Sequence, residues 1–188
     1  MKKAFCTQRG FTLLELAGVL AVSTVLASYS IPMAIDIKNS AAGASVQEDL
    51  ARSLNVARKH AVATGKQASV CASSDGKTCE KGEWSSGWLV YQGGEVEDGR
   101  SVLETDRIES YTVLNDDIEI ELHDEKLESV FTVQFNERGF NAASMKVASE
   151  VCSAGSHLAA ESVFIDRSGR IRVQLREELD TNLQTTCR

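Results

Sequence analysis

The chain has 188 residues, enough for one membrane segment and one folded domain and too few for several domains. Its 20 Lys and Arg against 27 Asp and Glu give a formal charge of −7, which excludes a chain that is basic throughout but not a local basic site. No internal repeat and no low-complexity segment occurs.

Residues 1–10 are a basic leader, with Lys2, Lys3 and Arg9 ahead of Gly10. Phe11 to Ile35 follows, 25 residues with the single charge Glu15. As a helix this run spans about 37 Å at ~1.5 Å per residue, enough to cross a bilayer. The positive residues before it hold the N-terminus in the cytoplasm and put the rest of the chain on the far side of the inner membrane. An unpaired carboxylate in hydrocarbon costs roughly 2.5 kcal/mol or more, so Glu15 calls for a partner. Two ordinary readings compete. One is a secretory signal with Phe11 to Leu26 as its apolar core and a cut after Ala27; the charge of Glu15 argues against it. The other is a signal anchor that is never cut.

Pro32, the only proline, falls late in the run, where it removes a backbone bond and kinks a helix. Beyond it Val46, Leu50, Leu54, Ala57 and Ala61 recur at three- and four-residue spacing, one apolar stripe of a helix. Arg52, Arg58 and Lys59 take the other positions. Gly65 is a natural C-cap, so a helix is expected from Phe11 to Thr64, with 36–65 as its amphipathic part. After Gly65 the pattern changes to strands, expected at Ala68–Ala72, Gly87–Gln92, Ile118–Leu122, Val130–Phe135, Ser162–Ile165 and Arg170–Leu175. Residues 93–99 read as a loop. Residues 95–128 hold 13 Asp or Glu and 3 Lys or Arg, a net −10, and carry no motif.

Gln8-Arg9-Gly10-Phe11-Thr12-Leu13-Leu14-Glu15-Leu16 resembles the leader junction of type IV prepilins and type II secretion pseudopilins. The resemblance implies cleavage by prepilin peptidase between Gly10 and Phe11 and methylation of the new Phe11 amine. It also implies that Glu15 pairs with the Phe11 amine of a neighbouring subunit during assembly; two buried charges are tolerable together and costly apart. The run Val70-Cys71-Ala72-Ser73-Ser74-Asp75-Gly76, with Cys79 and Trp84-Ser85-Ser86-Gly87-Trp88, resembles the FimT/GspH group of minor pilins and pseudopilins. Phe135-Asn136-Glu137-Arg138-Gly139 and Asp166-Arg167-Ser168-Gly169-Arg170 are similar to its later turn motifs. The implied fold is α+β and type IV pilin-like. Its long N-terminal helix, transmembrane in 11–35, packs on an antiparallel β-domain of about two sheets in 66–188.

Cleavage after Gly10 removes Cys6 and leaves four cysteines on the oxidising side, where disulfides persist. Cys71 and Cys79 flank the turn signal Asp75-Gly76 and are paired on that ground, which leaves Cys152 for Cys187. Four cysteines allow three connectivities.

No enzyme, cofactor or metal site is expected: His60, His123 and His157 lack metal spacing, and no nucleophile or phosphate-loop motif occurs. Glu119 and Glu121, alternating with Ile118, Ile120 and Leu122, read as the solvated face of a strand. Trp84 and Trp88 read as hairpin core rather than stacking platforms for bases. In Gly169-Arg170-Ile171-Arg172-Val173-Gln174-Leu175-Arg176, strand alternation puts Arg170, Arg172 and Arg176 on one face, with about 6.6 Å between the adjacent Arg170 and Arg172. That approximates phosphate spacing along a nucleic-acid strand, and the guanidinium fork suits phosphate oxygens; Arg167 adds a charge from the preceding turn. Gly169-Arg170-Ile171-Arg172 is similar to a Gly-Arg-x-Arg element of FimT-type DNA receptors. The plain alternative is that these arginines solubilise an exposed strand.

The sequence thus reads as a minor pilin whose partners are prepilin peptidase, other pilins or pseudopilins, the inner membrane before assembly, and DNA bound without sequence preference for uptake. The competing readings are a type II secretion pseudopilin and a pilin with an assembly role alone.

Overall fold

A computed structural model describes residues 12–82, 84–114, 118–126, 128–142, 147–153 and 161–175. Gly10, Phe11, Arg176, Cys6 and Cys187 lie outside the described residues. Contacts divide the chain after Lys38 into two compact units, treated separately below.

Helix α1 runs Leu13–Thr64. In the first unit the N-terminal signal is local: the Thr12 hydroxyl accepts the Glu15 amide at 3.2 Å, half of a Thr-x-x-Glu capping box, with an acid in the first turn where the helix dipole favours it. The side chains of Leu13, Leu14, Leu16, Val19, Leu20, Val22, Val25 and Leu26 are each more than half exposed, so this part of the helix is apolar on every side. Its hydroxyls turn inward: Ser23 donates to the Val19 carbonyl, Thr24 to Ala21 and Ser28 to Val25. Among the described residues no helix is long and apolar enough to cross a membrane; the described side chains of the apolar run stop at Ser28.

The described residues of the second unit, Asn39–Arg188, hold the rest of α1 and ten strands. These are β1 (Ala68–Ala72), β2 (Thr78–Cys79), β3 (Gly87–Gln92), β4 (Arg100–Ser101), β5 (Arg107–Thr112), β6 (Ile118–Asp124), β7 (Thr132–Phe135), β8 (Val147–Ser153), β9 (Glu161–Ile165) and β10 (Ile171–Leu175). They form a sheet of order β5-β3-β1-β7, a sheet of order β10-β9-β8-β6 and the pair β2-β4, and every pairing is antiparallel. The architecture is α+β, one long helix and two four-stranded antiparallel sheets.

The stripe Val46, Leu50, Leu54, Ala57 and Ala61 is buried. It joins Val70, Val90, Val133 and Phe135 of the first sheet and Ile118, Ile120, Leu122, Val163 and Ile165 of the second in one core. Fully burying a leucine such as Leu50 or Leu54 contributes roughly 2 kcal/mol. Gly65 ends the helix with φ +65 and its amide on the Ala61 carbonyl at 3.0 Å. The far face of the first sheet is covered too: its Cys71, Leu89 and Tyr91 pack with Cys79 and Val102, which explains the unbroken apolar run of β3.

Trp84 and Trp88 are both core. Trp84 Nε1 donates to the Val130 carbonyl at 2.9 Å, and Trp88 stacks on Tyr111 with centroids 4.4 Å apart. The acidic stretch contains β4, β5 and β6, and β5 and β6 are the edges of their sheets. Along β6 Glu119 and Glu121 are exposed between buried Ile118, Ile120 and Leu122. Charge on edge strands discourages pairing with another chain.

Candidate functional site

The candidate surface starts from the β9–β10 hairpin. Asp166, Arg167, Ser168 and Gly169 form its turn: the Asp166 amide donates to the Arg170 carbonyl at 2.9 Å and the Gly169 amide to the Asp166 carbonyl at 2.8 Å. Gly169 has φ +72, and a Cβ there would lie 2.0 Å from the Gly139 carbonyl oxygen, so only glycine fits. The loop after β7 therefore abuts this turn.

Arg58 of α1 fastens the two. Its Nε donates to the Gly139 carbonyl at 2.9 Å, and a terminal nitrogen reaches the Ser168 carbonyl at 3.5 Å. Arg58 falls off the apolar stripe yet is half-buried, with the carbonyls of two turns accepting from it. Its spacing in the sequence carries no sign of this role. Arg52 meets Asp49, whose carboxylate also accepts the Tyr111 hydroxyl at 2.7 Å.

The arginines are only partly the open array that alternation suggests. Arg170 precedes β10 and is exposed. Arg172 lies in β10, the edge of its sheet, and is ion-paired to Asp166. Arg167 is 64% exposed and reaches both Glu125 carboxylate oxygens, at 3.2 and 3.1 Å. The contact of Arg167 with Glu125 spans 42 residues, so no local pattern shows it, whereas that of Arg172 with Asp166 spans six. Among the described residues no ion pair engages Arg170. On the other face of the strand Ile171 packs on the core, while Val173 is 41% exposed.

Cys71 and Cys79 are disulfide-bonded across a separation of eight. The turn between them does not close a β1–β2 hairpin: β2 pairs with β4, and the bond ties that pair to the first sheet. Asp75 organises the turn by accepting the Lys77 and Thr78 amides, both at 2.7 Å. Burial pushes its carboxyl up, but hydrogen bonds from the Thr78 and Lys77 amides and the Thr78 and Ser73 hydroxyls outweigh burial and hold it below its ordinary value. Cys152 lies in β8, whose side chains are not described, and its proposed partner Cys187 lies outside the described residues.

His60 Nε2 lies 3.3 Å from the Gln92 side chain, His123 Nε2 lies 2.9 Å from Glu121, and His157 is outside the described residues. Among the described residues no three metal-ligating side chains gather.

A family model for type II transport protein GspH matches residues 47–169. No curated protein matches the sequence. Solved structures that share the fold include a minor pilin and a minor pseudopilin. The type IV minor pilin FimU of Pseudomonas aeruginosa has TM-score 0.55 and 17% identity, covering 73% of this chain and 91% of that one. The minor pseudopilin EpsH of the Vibrio cholerae type 2 secretion system has TM-score 0.51 and 9% identity, covering 74% and 99%.

Proposed function

Since the chain belongs to the type II transport protein GspH family, whose members are minor pilins and pseudopilins, we propose that it is a minor pilin built into a type IV pilus through its N-terminal helix. Prepilin peptidase cuts Gly10–Phe11 and methylates Phe11; Glu15 then meets the Phe11 amine of a neighbouring subunit. The supporting observation is the first part of α1, apolar on all sides with its hydroxyls satisfied inside the helix. Such a helix needs lipid or other helices around it. The unit held in the inner membrane before assembly is 11–35, with the β-domain in the periplasm. Glu15→Ala should leave membrane insertion intact and abolish incorporation into filaments, read by immunoblot of sheared pili. Normal incorporation would defeat the pairing account. A mature N-terminus at Ser28 rather than Phe11 would mark a secretory signal.

The same pilin binds DNA electrostatically for uptake, through Arg170 and Arg172 with Arg167 beside them. The exposed position of Arg170 next to Arg172, with no ion pair to it among the described residues, supports this reading. Among the described residues every core residue lies at or beyond Ala42, so a fragment from Asn39 keeps the described core. That fragment should bind duplex DNA weakly, lose affinity with salt, and lose binding in Arg170→Ala/Arg172→Ala. The family description favours a second reading, a type II secretion pseudopilin. A deletion strain that loses secretion but keeps pili and transformation would establish it.

A further inference from the structure

The loop after β7 is a twin of the β9–β10 turn. In one the Asn136 amide donates to the Phe140 carbonyl at 3.0 Å and the Gly139 amide to the Asn136 carbonyl at 2.8 Å. The same two bonds join Asp166 to Arg170 and Gly169 to Asp166 in the other. Asn136 Oδ1 also accepts the Arg138 and Phe140 amides, both at 3.0 Å. Arg58 bonds to both turns. Because Gly169 sits against the Gly139 carbonyl, the backbones of Arg138, Phe140 and Arg170 lie within roughly 14 Å of one another.

The position after the turn glycine is Arg170 in one twin and Phe140 in the other. The Phe140 side chain is 47% exposed, although a turn position imposes no need for an aromatic ring. Arg138 is exposed, and among the described residues no ion pair engages it. Guanidiniums beside an open ring are the means by which proteins hold single strands: cations take the backbone and the ring takes a base face. Duplex DNA offers its phosphates to the same arginines but no free base to the ring.

We infer that turn 136–140 is the second half of the nucleic-acid surface, with Arg138 on a phosphate and Phe140 under an unpaired base, so that the site takes single-stranded nucleic acid in preference to duplex. This rests on the reading of Arg170 and Arg172 as phosphate contacts. The test uses the full chain in nonionic detergent, a labelled oligothymidine strand and a duplex of equal length, across a salt series. The single strand should bind more tightly. Phe140→Ala should lower its affinity roughly tenfold and erase the preference, and Phe140→Trp should retain both. Arg138→Ala should weaken both ligands and reduce the salt slope by about one. If Phe140→Ala and Arg138→Ala bind like the parent while Arg170→Ala/Arg172→Ala does not, the inference falls and the arginine reading stands. If the parent binds neither ligand at low salt, both fall.

Discussion

Gly169 lies so close to Gly139 that a Cβ on the first would come within 2.0 Å of the carbonyl oxygen of the second. Gly169→Ala meets two costs, the left-handed φ of +72 and a backbone clash that no rotamer relieves. It should destabilise the Asn39 fragment by about 2–4 kcal/mol in urea unfolding. A smaller loss than ~1 kcal/mol would mean that the turns separate readily.

Removing the Cys71–Cys79 bond frees a short loop in the unfolded chain. Cys71→Ser/Cys79→Ser should cost about 2.5 kcal/mol. Adding reductant to the parent fragment should lower its urea midpoint by a similar amount, and an unchanged midpoint would show that Asp75 and the β2–β4 pairing hold the turn unaided.

Tyr91 links stability to pH. Its side chain is buried, its hydroxyl donates to the Gly94 carbonyl at 3.0 Å, and burial pushes the phenol up to about 12. Between pH 10 and 12 the unfolded tyrosine has lost a proton that the folded one keeps, so the unfolded state binds fewer protons. Stability present below pH 10 therefore falls by about 1.4 kcal/mol per pH unit through that window. Tyr91→Phe should flatten this part of the profile, and an identical slope in the variant would assign the loss elsewhere.

Asp166 competes with any phosphate for Arg172. Its twin position is Asn136, which serves as the turn's acceptor without charge. Asp166→Asn should therefore keep the turn, release Arg172 and raise DNA affinity several-fold at low salt, with little change in melting temperature. Unchanged affinity would remove Arg172 from the contact surface.

Local rules made much of this fold legible. The stripe from Val46 to Ala61, the cap at Gly65, and the strands β1 and β3 follow from periodicity and turn chemistry, which neighbouring residues determine by themselves. The Cys71–Cys79 bond was readable for the same reason: its residues are eight apart. β5 was missed because Arg-Ile-Glu-Ser-Tyr-Thr at a half-exposed edge shows little apolar alternation, and β2 because two residues show no period.

By itself the sequence determined the long helix, its apolar first part, the change to strands after Gly65, and the arginines that fall beside one another near Arg170. Tertiary structure decided their partners. The contacts of Arg58 with Gly139 and Ser168 span 81 and 110 residues, and that of Arg167 with Glu125 spans 42. A charge shows in sequence, but whether it faces solvent, an acid or a carbonyl depends on which distant turn the sheets carry to it.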